Sequence, residues 1–346
     1  MESNFYKVTP AIEIMEKVKL EPRPNFLWYG IPEGAIGLIC GIAKTGKTTF
    51  AENLAISIAI GRRSFFNYKM EGRPRKVLFI NLEESYKLRS RRNMKQTSVL
   101  TQYEKTLFEQ NYISTPLNFP DFIVTDENWN KLKEYIINSE AEVIFIDSLS
   151  HLIPKNIEDS TTVLKFIKDK LRPNISSLGK TVIIVHHSTK GNESPMDESN
   201  GIAGSRVILQ EFQFAIGLSN IPNRNGGNYC CMLYNKHIHK DDTSAVLYTI
   251  DSDGWVINNG VANKHDLYKN AKPDLRNDDR NRNRILRFIK NQHNQGNQDI
   301  KTTDLYSEFL NSKQMSRDTL HKWLKVLLKD KLIKKYGHGV YRYLGN

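Results

Sequence analysis

The sequence predicts an α/β protein with a central, mostly parallel β-sheet and a small second domain at the carboxyl end. Three observations predict this organisation: short apolar runs alternate with helical stretches, a glycine-rich segment follows the first run, and basic charge is concentrated in the last quarter of the chain. The apolar runs lie at residues 36–40, 77–80, 143–146 and 182–185. Continuous runs of this length are typical of strands buried on both faces of a parallel sheet.

The composition limits the class of protein. The chain has 346 residues, 39% hydrophobic and 25% charged, which is enough for roughly two globular domains. No apolar run approaches the ~20 residues that span a bilayer, and the first residues lack the apolar core of a secretory signal. The three cysteines, Cys40, Cys230 and Cys231, fit neither a disulfide framework nor a zinc-ligand pattern. We therefore expect a cytoplasmic protein without a membrane segment.

Shifts in composition divide the chain into four parts. We expect an amino-terminal arm with a helix over 8–19, an α/β domain, a polar linker and a carboxyl-terminal domain, over residues 1–24, 25–255, 256–280 and 281–346. Residues 228–250 alternate between apolar and polar types and predict a hairpin at the sheet edge. Three helical patterns and a glycine turn between two short strands predict a winged-helix domain at the end, with helices over 281–292, 302–311 and 316–330.

The charge distribution indicates a polyanionic partner. Residues 1–261 contain 31 Lys and Arg against 29 Asp and Glu, whereas residues 262–346 contain 19 against nine. A compact basic segment beside a nearly neutral body favours a nucleic acid as the partner. The alternative is a basic tail that serves only solubility, but the apolar periodicity of these residues favours a folded domain.

A phosphate-binding loop is predicted at residues 41–48. The segment Gly-Ile-Ala-Lys-Thr-Gly-Lys-Thr matches G-x-x-x-x-G-K-[ST] at every fixed position, between a predicted strand and a predicted helix. Its backbone amides and the helix amino terminus would surround phosphates, Lys47 would lie between the β- and γ-phosphates, and the Thr48 hydroxyl would ligate Mg²⁺. The sequence thus predicts ATP and Mg²⁺ as ligands, and the residues expected to line the site are Gly41, Ala43, Lys44, Thr45, Gly46, Lys47, Thr48 and Thr49.

Polar side chains follow the other predicted strands. Asp147 ends the third apolar run, where a carboxylate that organises Mg²⁺ is expected. Glu83 and Glu84 follow the second run, and we expect Glu83 to be the general base, with Glu84 as the second choice. The alternatives are an ordinary aspartate at a strand end and two exposed loop acids. After the fourth run, His186 and His187 can contact the γ-phosphate, or one of them can simply cap the strand.

These motifs resemble those of a known family. The segments IPEGAIGLICGIAKTGKTT, VLFINLEES, VIFIDSL and VIIVHHSTKG are similar, in this order, to the RecA-like ATPases of the plasmid replicative helicase RepA type, with DnaB-type helicases and RadA more distant. The resemblance covers roughly residues 25–250 and implies a hexameric ring with ATP at the subunit interfaces. It also implies that Lys47 and Thr48 hold the nucleotide, Asp147 organises Mg²⁺, Glu83 is the base and His186 senses the γ-phosphate.

The sequence departs from the RepA pattern at the arginine finger, the cation that one subunit inserts into the site of its neighbour. Gln213 stands at the aligned position, so Arg206 and Lys236 are the remaining candidates for this residue. The winged-helix extension is a second departure, since a ring helicase of this type does not need it. A long loop over 188–203 follows the two histidines, and its Lys190 is a candidate DNA contact.

The basic tail supplies further candidate DNA contacts. Leu320, Trp323, Leu324 and Leu327 form an apolar stripe on the third tail helix, which leaves basic residues on its other side. This helix can enter a major groove while the wing reaches phosphates. The candidates are Arg317, Lys322 and Lys325 on the helix and Lys334 and Lys335 on the wing. A winged helix that binds protein instead is the alternative.

Two functions from different classes fit these observations. The first is a DNA-dependent ATPase, a hexameric RepA-like replicative helicase or a replication-initiation motor of a mobile element. The second is an ATP-regulated DNA-binding module, such as a regulator or a recombination or defence component, without processive unwinding. A small-molecule kinase with the same loop is less favoured, because it would leave the basic tail unexplained.

Overall fold

The structure is a computed structural model of the chain. It describes residues 9–21, 25–153, 158–188, 194–198, 201–203, 206–222, 227–237, 243–269, 278–311, 315–337 and 339–344. The chain divides into two compact units, residues 1–270 and 271–346. None of the helices in these ranges combines the length and hydropathy that a membrane span requires.

The first unit alternates strands and helices. Its strands are β1 (Phe26–Trp28), β2 (Ile31–Pro32), β3 (Ile36–Gly41), β4 (Ser64–Phe65), β5 (Tyr68–Lys69), β6 (Val77–Asn81), β7 (Tyr112–Ser114), β8 (Val143–Asp147), β9 (Thr181–His187), β10 (Phe214–Asn220), β11 (Asn228–Asn235), β12 (Ser244–Ile250) and β13 (Val256–Asn263). Its α-helices are α1 (Ala11–Leu20), α2 (Lys47–Ala59), α3 (Tyr86–Ser98), α4 (Gln102–Asn111), α5 (Asp126–Asn138), α6 (Ser160–Phe166), α7 (Arg172–Asn174), α8 (Arg206–Glu211) and α9 (Asp266–Lys269).

In the described part of the first unit, nine strands form one central sheet in the order β13-β12-β11-β10-β3-β9-β8-β6-β7. The six strands from β10 to β7 are parallel to their neighbours, and β11, β12 and β13 add to β10 as an antiparallel extension. The predicted α/β fold with a mostly parallel central sheet is confirmed, and the arrangement is that of a RecA-like P-loop protein. All four apolar runs are central strands, and the phosphate loop and the three predicted polar strand ends lie at their carboxyl edge.

The sheet has a buried core on each face. Helix α2 covers one face, where its Phe50 packs in a cluster with Phe79, Phe145 and Val185. The neighbouring residues along the same strands, such as Ile146 and Ile184, point into the other core. Because side chains alternate along a strand, this division fixes which polar residues at the strand ends share the face of α2.

The predicted linker over 256–280 is wrong over its first half. Residues Val256–Asn263 form strand β13, which pairs antiparallel with β12 at the edge of the sheet, and α9 follows it. The strand has mainly exposed side chains and contains two consecutive asparagines and a glycine. An exposed edge strand buries few apolar side chains, so its composition resembles that of a loop. The predicted hairpin over 228–250 is present as β11 and β12.

The second unit contains α10 (Asp278–Asn294), β14 (Ile300–Lys301), α11 (Thr302–Tyr306), α12 (Arg317–Lys329), β15 (Ile333–Lys335) and β16 (Val340–Tyr343). A π-helical turn over Ser307–Asn311 continues α11. The strands form an antiparallel sheet in the order β14-β16-β15 among the described residues. The helices pack around Ile285, Ile289, Leu320 and Leu324. The three predicted tail helices and the hairpin are therefore present, and β14 is an addition that the sequence pattern does not indicate.

Candidate active site

The loop between β3 and α2 has the conformation that its glycines permit. Gly46 precedes α2 with a φ of 76°, and Lys44 adopts a φ of 68°. A Cβ atom on Gly41 would lie 2.7 Å from the backbone oxygen of Leu218 in the adjacent strand β10, so glycine is required there by close packing. The Tyr248 hydroxyl on β12 donates a hydrogen bond of 2.7 Å to the Thr45 carbonyl. The loop is thus supported by two neighbouring strands.

Lys47 and Thr48 begin α2 and face the carboxyl edge of the sheet. The Lys47 ammonium donates to the carbonyl oxygen of Ile42, 3.1 Å away, across the loop. Partial burial lowers the pKa of Lys47, while the carboxylates of Asp147 and Glu83 act in the opposite direction. The Thr48 hydroxyl donates a hydrogen bond of 2.6 Å to Oδ2 of Asp147. This contact joins the phosphate loop to the end of β8.

Asp147 is 1% exposed at the end of β8. Burial raises its pKa to about 6, although the Thr48 hydrogen bond lowers it, and the charge of Glu83 adds to the increase. Its second oxygen, Oδ1, is buried and has no hydrogen-bond partner among the described residues. Hydroxyl and carboxylate oxygens are preferred ligands of Mg²⁺, and an unpartnered buried carboxylate oxygen beside a threonine hydroxyl fits that ion. Thr48 and Asp147 are therefore suited to hold it.

The two glutamates after β6 have different surroundings. Glu84 is held by Arg92 of α3, whose Nη1 donates to Oε1 at 2.9 Å. The same guanidinium also pairs with Glu52, a fully buried residue of α2. Glu83 is exposed, and its charge affects the pKa of both Lys47 and Asp147, which places it beside the crevice. This arrangement supports the predicted preference for Glu83 over Glu84 as the group that faces a substrate.

The two histidines at the end of β9 point to opposite faces of the sheet. His186 follows Ile184 on the face away from α2, and its Nε2 lies 2.7 Å from the carbonyl oxygen of Ala203. Burial lowers the pKa of His186 to about 4, so the ring is neutral at pH 7 and donates its Nε2 proton to that carbonyl. His187 follows Val185 on the face of α2, is half-buried, and is affected electrostatically by Lys47 and Glu83. The geometry thus does not support the predicted γ-phosphate contact of His186 and favours His187.

Comparison with protein families agrees with this site. The family model described as "AAA domain" matches residues 10–193, more than half of the chain and all of the loop, Glu83, Asp147 and both histidines. The chain belongs to the AAA domain family. Together with the RecA-like sheet and the phosphate loop, this membership makes the protein a P-loop ATPase, a class that binds nucleotide and usually Mg²⁺.

Comparison with individual proteins adds one solved structure. It is described as the crystal structure of KaiC-like protein PH0186 from the hyperthermophilic archaeon Pyrococcus horikoshii OT3. The two chains are 17% identical, with a TM-score of 0.48, over 68% of this chain and 94% of that one. No curated protein matches the chain.

The remaining predicted residues of this AAA domain protein are dispersed. Ala43 and Lys44 are exposed at the tip of the loop, and Thr49 is half-buried in the first turn of α2. Lys236 lies just beyond β11, at the edge of the sheet opposite the phosphate loop, and its Nζ donates to the Gln210 carbonyl. Lys236 is therefore not part of its own chain's site. Two candidates cannot be placed: Lys190 lies outside the described residues, as does the side chain of Arg206.

The tail candidates are all exposed in the second unit. This applies to Arg317, Lys322, Lys325, Lys334 and Lys335. The Arg317 Nε donates to the Tyr306 hydroxyl at 3.2 Å, and that hydroxyl lies 2.7 Å from Nε2 of His321. On the neighbouring wing strand, Arg342 pairs with Asp299. Each candidate is accessible to a partner of the AAA domain protein.

Three further residues of the site do not stand out in the sequence. Arg92 belongs to a basic helix whose pattern is typical of a solvated face, yet its guanidinium points inward between two glutamates. Tyr248 supports the loop from a strand far away in sequence. Asn81, directly before Leu82 and Glu83, accepts hydrogen bonds from the backbone of the turn that carries both glutamates. Only Asn81 has a local signal, because a polar residue ends an otherwise apolar strand in the same way as Asp147.

Proposed function

We propose that this protein is a Mg²⁺-dependent, DNA-stimulated ATPase that assembles as a ring, a replicative helicase or a replication-initiation motor of a mobile element. The observation that carries the ATPase site is the contact between Thr48 and Asp147, next to an unpartnered carboxylate oxygen, Lys47 and Glu83. The motif resemblance to RepA-type helicases and the basic second unit support the DNA-linked part of the proposal.

The residues of the site have separable tasks in this proposal. The loop amides and Lys47 bind the phosphates, and Lys47 moves from the Ile42 carbonyl to the β- and γ-phosphates. Thr48 and Asp147 hold Mg²⁺, which neutralises charge that develops on the phosphate oxygens. Glu83 accepts a proton from the attacking water. His187 contacts the γ-phosphate, while His186 couples β9 to Ala203 in the following loop.

Assembly would complete the site. Stabilisation of the transferred phosphoryl group requires a further cation, and neighbouring subunits in a head-to-tail ring can supply one. Arg206 and Lys236 are the candidates. Lys236 lies at the sheet edge opposite its own loop, which suits a residue that serves the next subunit of a ring.

DNA binding is assigned to two regions. Lys190 and the loop around it would contact single-stranded DNA inside the ring. The second unit would act as a winged helix, with Arg317, Lys322 and Lys325 on α12 and Lys334 and Lys335 on β15 directed at a duplex. The exposure of these five side chains and the charge surplus of the tail support this assignment.

ATP turnover with and without DNA tests the proposal. Single-stranded DNA is expected to raise the turnover of the wild-type protein, and Lys47→Ala is expected to abolish turnover. Mass measurement with a non-hydrolysable ATP analogue and single-stranded DNA should give a ring-sized assembly. Turnover that no nucleic acid changes would reject the DNA-linked part, and the absence of Mg²⁺-dependent nucleotide binding would reject the whole.

A second function is favoured by the environment of Gln213. Its Oε1 accepts a hydrogen bond of 2.8 Å from the Ile36 amide at the start of β3, so this side chain is committed to the sheet where RepA-type proteins have an arginine finger. Without a strong finger, the protein would hydrolyse ATP slowly and act as an ATP-regulated DNA-binding module. Nucleotide-dependent assembly without strand displacement on a forked duplex would select this function over the helicase.

A further inference from the structure

The end of strand β6 carries a buried carboxamide that the proposed mechanism does not use. Asn81 is 7% exposed and pairs in register with Asp147 on the adjacent parallel strand β8. It follows Phe79, which packs in the core beneath α2, so its side chain lies on the same face of the sheet as Asp147 and the phosphate loop. The Leu82 amide, one residue further, donates to the Asp147 carbonyl at 2.7 Å. Asn81 is therefore fixed beside the residue that would hold Mg²⁺.

The hydrogen bonds of Asn81 settle the orientation of its carboxamide. Oδ1 accepts from the backbone amides of Glu83 at 3.1 Å and Glu84 at 2.9 Å. An inverted carboxamide would place its own N–H groups against these two donors, which is unfavourable. The amide nitrogen Nδ2 is therefore the atom left over, and it is buried without a hydrogen-bond partner among the described residues. A buried donor of this kind is uncommon in folded proteins and indicates a missing acceptor.

We propose that Asn81 is a further residue of the active site, whose Nδ2 donates a hydrogen bond to a terminal phosphoryl oxygen of the bound triphosphate. An amide donor cannot ligate Mg²⁺, and the acceptor it calls for at this edge is an anionic oxygen. A donor aimed at a phosphoryl oxygen stabilises the charge there during transfer. Through Oδ1, the same side chain positions the turn that carries Glu83. This inference rests on the proposed nucleotide site and adds a group that distinguishes ATP from ADP.

Binding of two nucleotides to the full-length protein tests the proposal. We expect Asn81→Ala to weaken binding of a non-hydrolysable ATP analogue with Mg²⁺ by about tenfold, because the variant cannot donate this hydrogen bond to a charged group. The affinity for ADP, which lacks the terminal phosphoryl group, should change by no more than about twofold. A residue that only shapes the turn would alter both affinities alike or neither. The ratio of the two affinities is thus the decisive quantity.

Two further variants keep the test interpretable. Asn81→Asp retains the acceptor for the Glu83 and Glu84 amides but removes the donor, so it should also lose preference for the analogue, and wild-type behaviour of this variant would overturn the proposal. Asn53→Ala is the matched control, since Asn53 is buried and bonds the Gly254 carbonyl and the Val256 amide away from the loop. It should lower the melting temperature without changing the ratio. If wild-type protein binds neither nucleotide, the proposed site itself fails, whereas equal losses for both nucleotides in Asn81→Ala refute only the role of Asn81.

Discussion

At the residue scale, the site depends on how one arginine distinguishes two adjacent glutamates. Arg92 satisfies Glu84 and Glu52 together, and its pKa stays far above the titratable range because both carboxylates pair with it. Freeing Glu84 to face a substrate would leave part of this guanidinium without its partner. Glu83 has no such commitment, so its carboxylate can approach a water molecule without breaking an ion pair.

We therefore expect Glu83→Gln and Glu84→Gln to differ sharply. Loss of a general base should lower the turnover of Glu83→Gln at least about 100-fold while ATP binding persists. Glu84→Gln should keep most of its turnover and lose about 1 kcal/mol of stability or less, since Glu52 still pairs with Arg92. Steady-state turnover and urea unfolding of the two variants provide the comparison. The opposite ranking of turnover would assign the base to Glu84.

The raised pKa of Asp147 leads to a second prediction at this scale. Its folded-state pKa is about 6 against an ordinary value of 3.8, so the folded protein holds a proton over this pH window that the unfolded chain has released. The free energy of unfolding of metal-free protein should therefore fall as pH rises through the window, by roughly 3 kcal/mol from this group. Asp147→Asn should lack this component.

Urea unfolding in the presence of EDTA, between about pH 4 and pH 7.5, measures the difference for the two proteins. Adding Mg²⁺ above pH 6 should restore stability to the wild-type protein alone, because the ion replaces the proton on the carboxylate. Parallel pH profiles for wild type and Asp147→Asn would show that the carboxyl titrates normally.

At the scale of elements, the sequence predicts those parts whose signal is local. Strands β3, β6, β8 and β9 are buried on both faces, so each appears as an uninterrupted apolar run. Strand β10 pairs with β3 from a position far along the chain, and no local pattern specifies that partner. The edge strand β13 has mostly exposed side chains, so its composition wrongly predicts a linker.

The same reasoning applies within the site. Lys47, Thr48 and Asp147 are predictable because a motif and a strand end mark them. Arg92 is not, since its inward direction depends on Glu52, which lies 40 residues earlier on another helix. The choice between His186 and His187 requires knowledge of which face of β9 is covered by α2. Contacts between distant elements thus account for the features that the sequence alone does not predict.

Strand β12 provides a prediction at this scale, because its Tyr248 holds the phosphate loop. Tyr248 is fully buried, and its hydroxyl is bonded to the Thr45 carbonyl. Tyr248→Phe should cost about 1 kcal/mol of stability and weaken nucleotide binding about fivefold, because the loop loses a support in its binding conformation. Tyr135→Phe is the control, since the Tyr135 hydroxyl bonds the Ser114 carbonyl away from the loop. Nucleotide titration and thermal unfolding of both variants test this, and equal affinities would mean that the loop is rigid without β12.

At the scale of the whole molecule, chemistry and charge lie in different units. The first unit holds the residues assigned to phosphate and metal binding, whereas residues 271–346 contain 17 Lys and Arg against eight Asp and Glu. Lysines in the first unit are often paired with acids, as Lys131 is with Glu127 and Lys76 with Glu140. A charge surplus confined to one unit predicts that DNA affinity and basal ATP hydrolysis can be altered independently.

We therefore expect Lys322→Ala combined with Lys325→Ala, in the full-length protein, to weaken duplex DNA binding. Both side chains are exposed on α12, and removal of each ammonium that pairs with a phosphate should reduce the slope of log affinity against log salt by about 0.9. Turnover without DNA should stay unchanged, because neither lysine belongs to the first unit. The paired lysines provide the matched control: Lys76→Ala with Lys131→Ala removes the same charge from the first unit and should leave the slope intact. If both double variants reduce the slope equally, net charge alone drives binding, and if neither does, α12 contacts a protein and the winged-helix unit has no direct part in holding DNA.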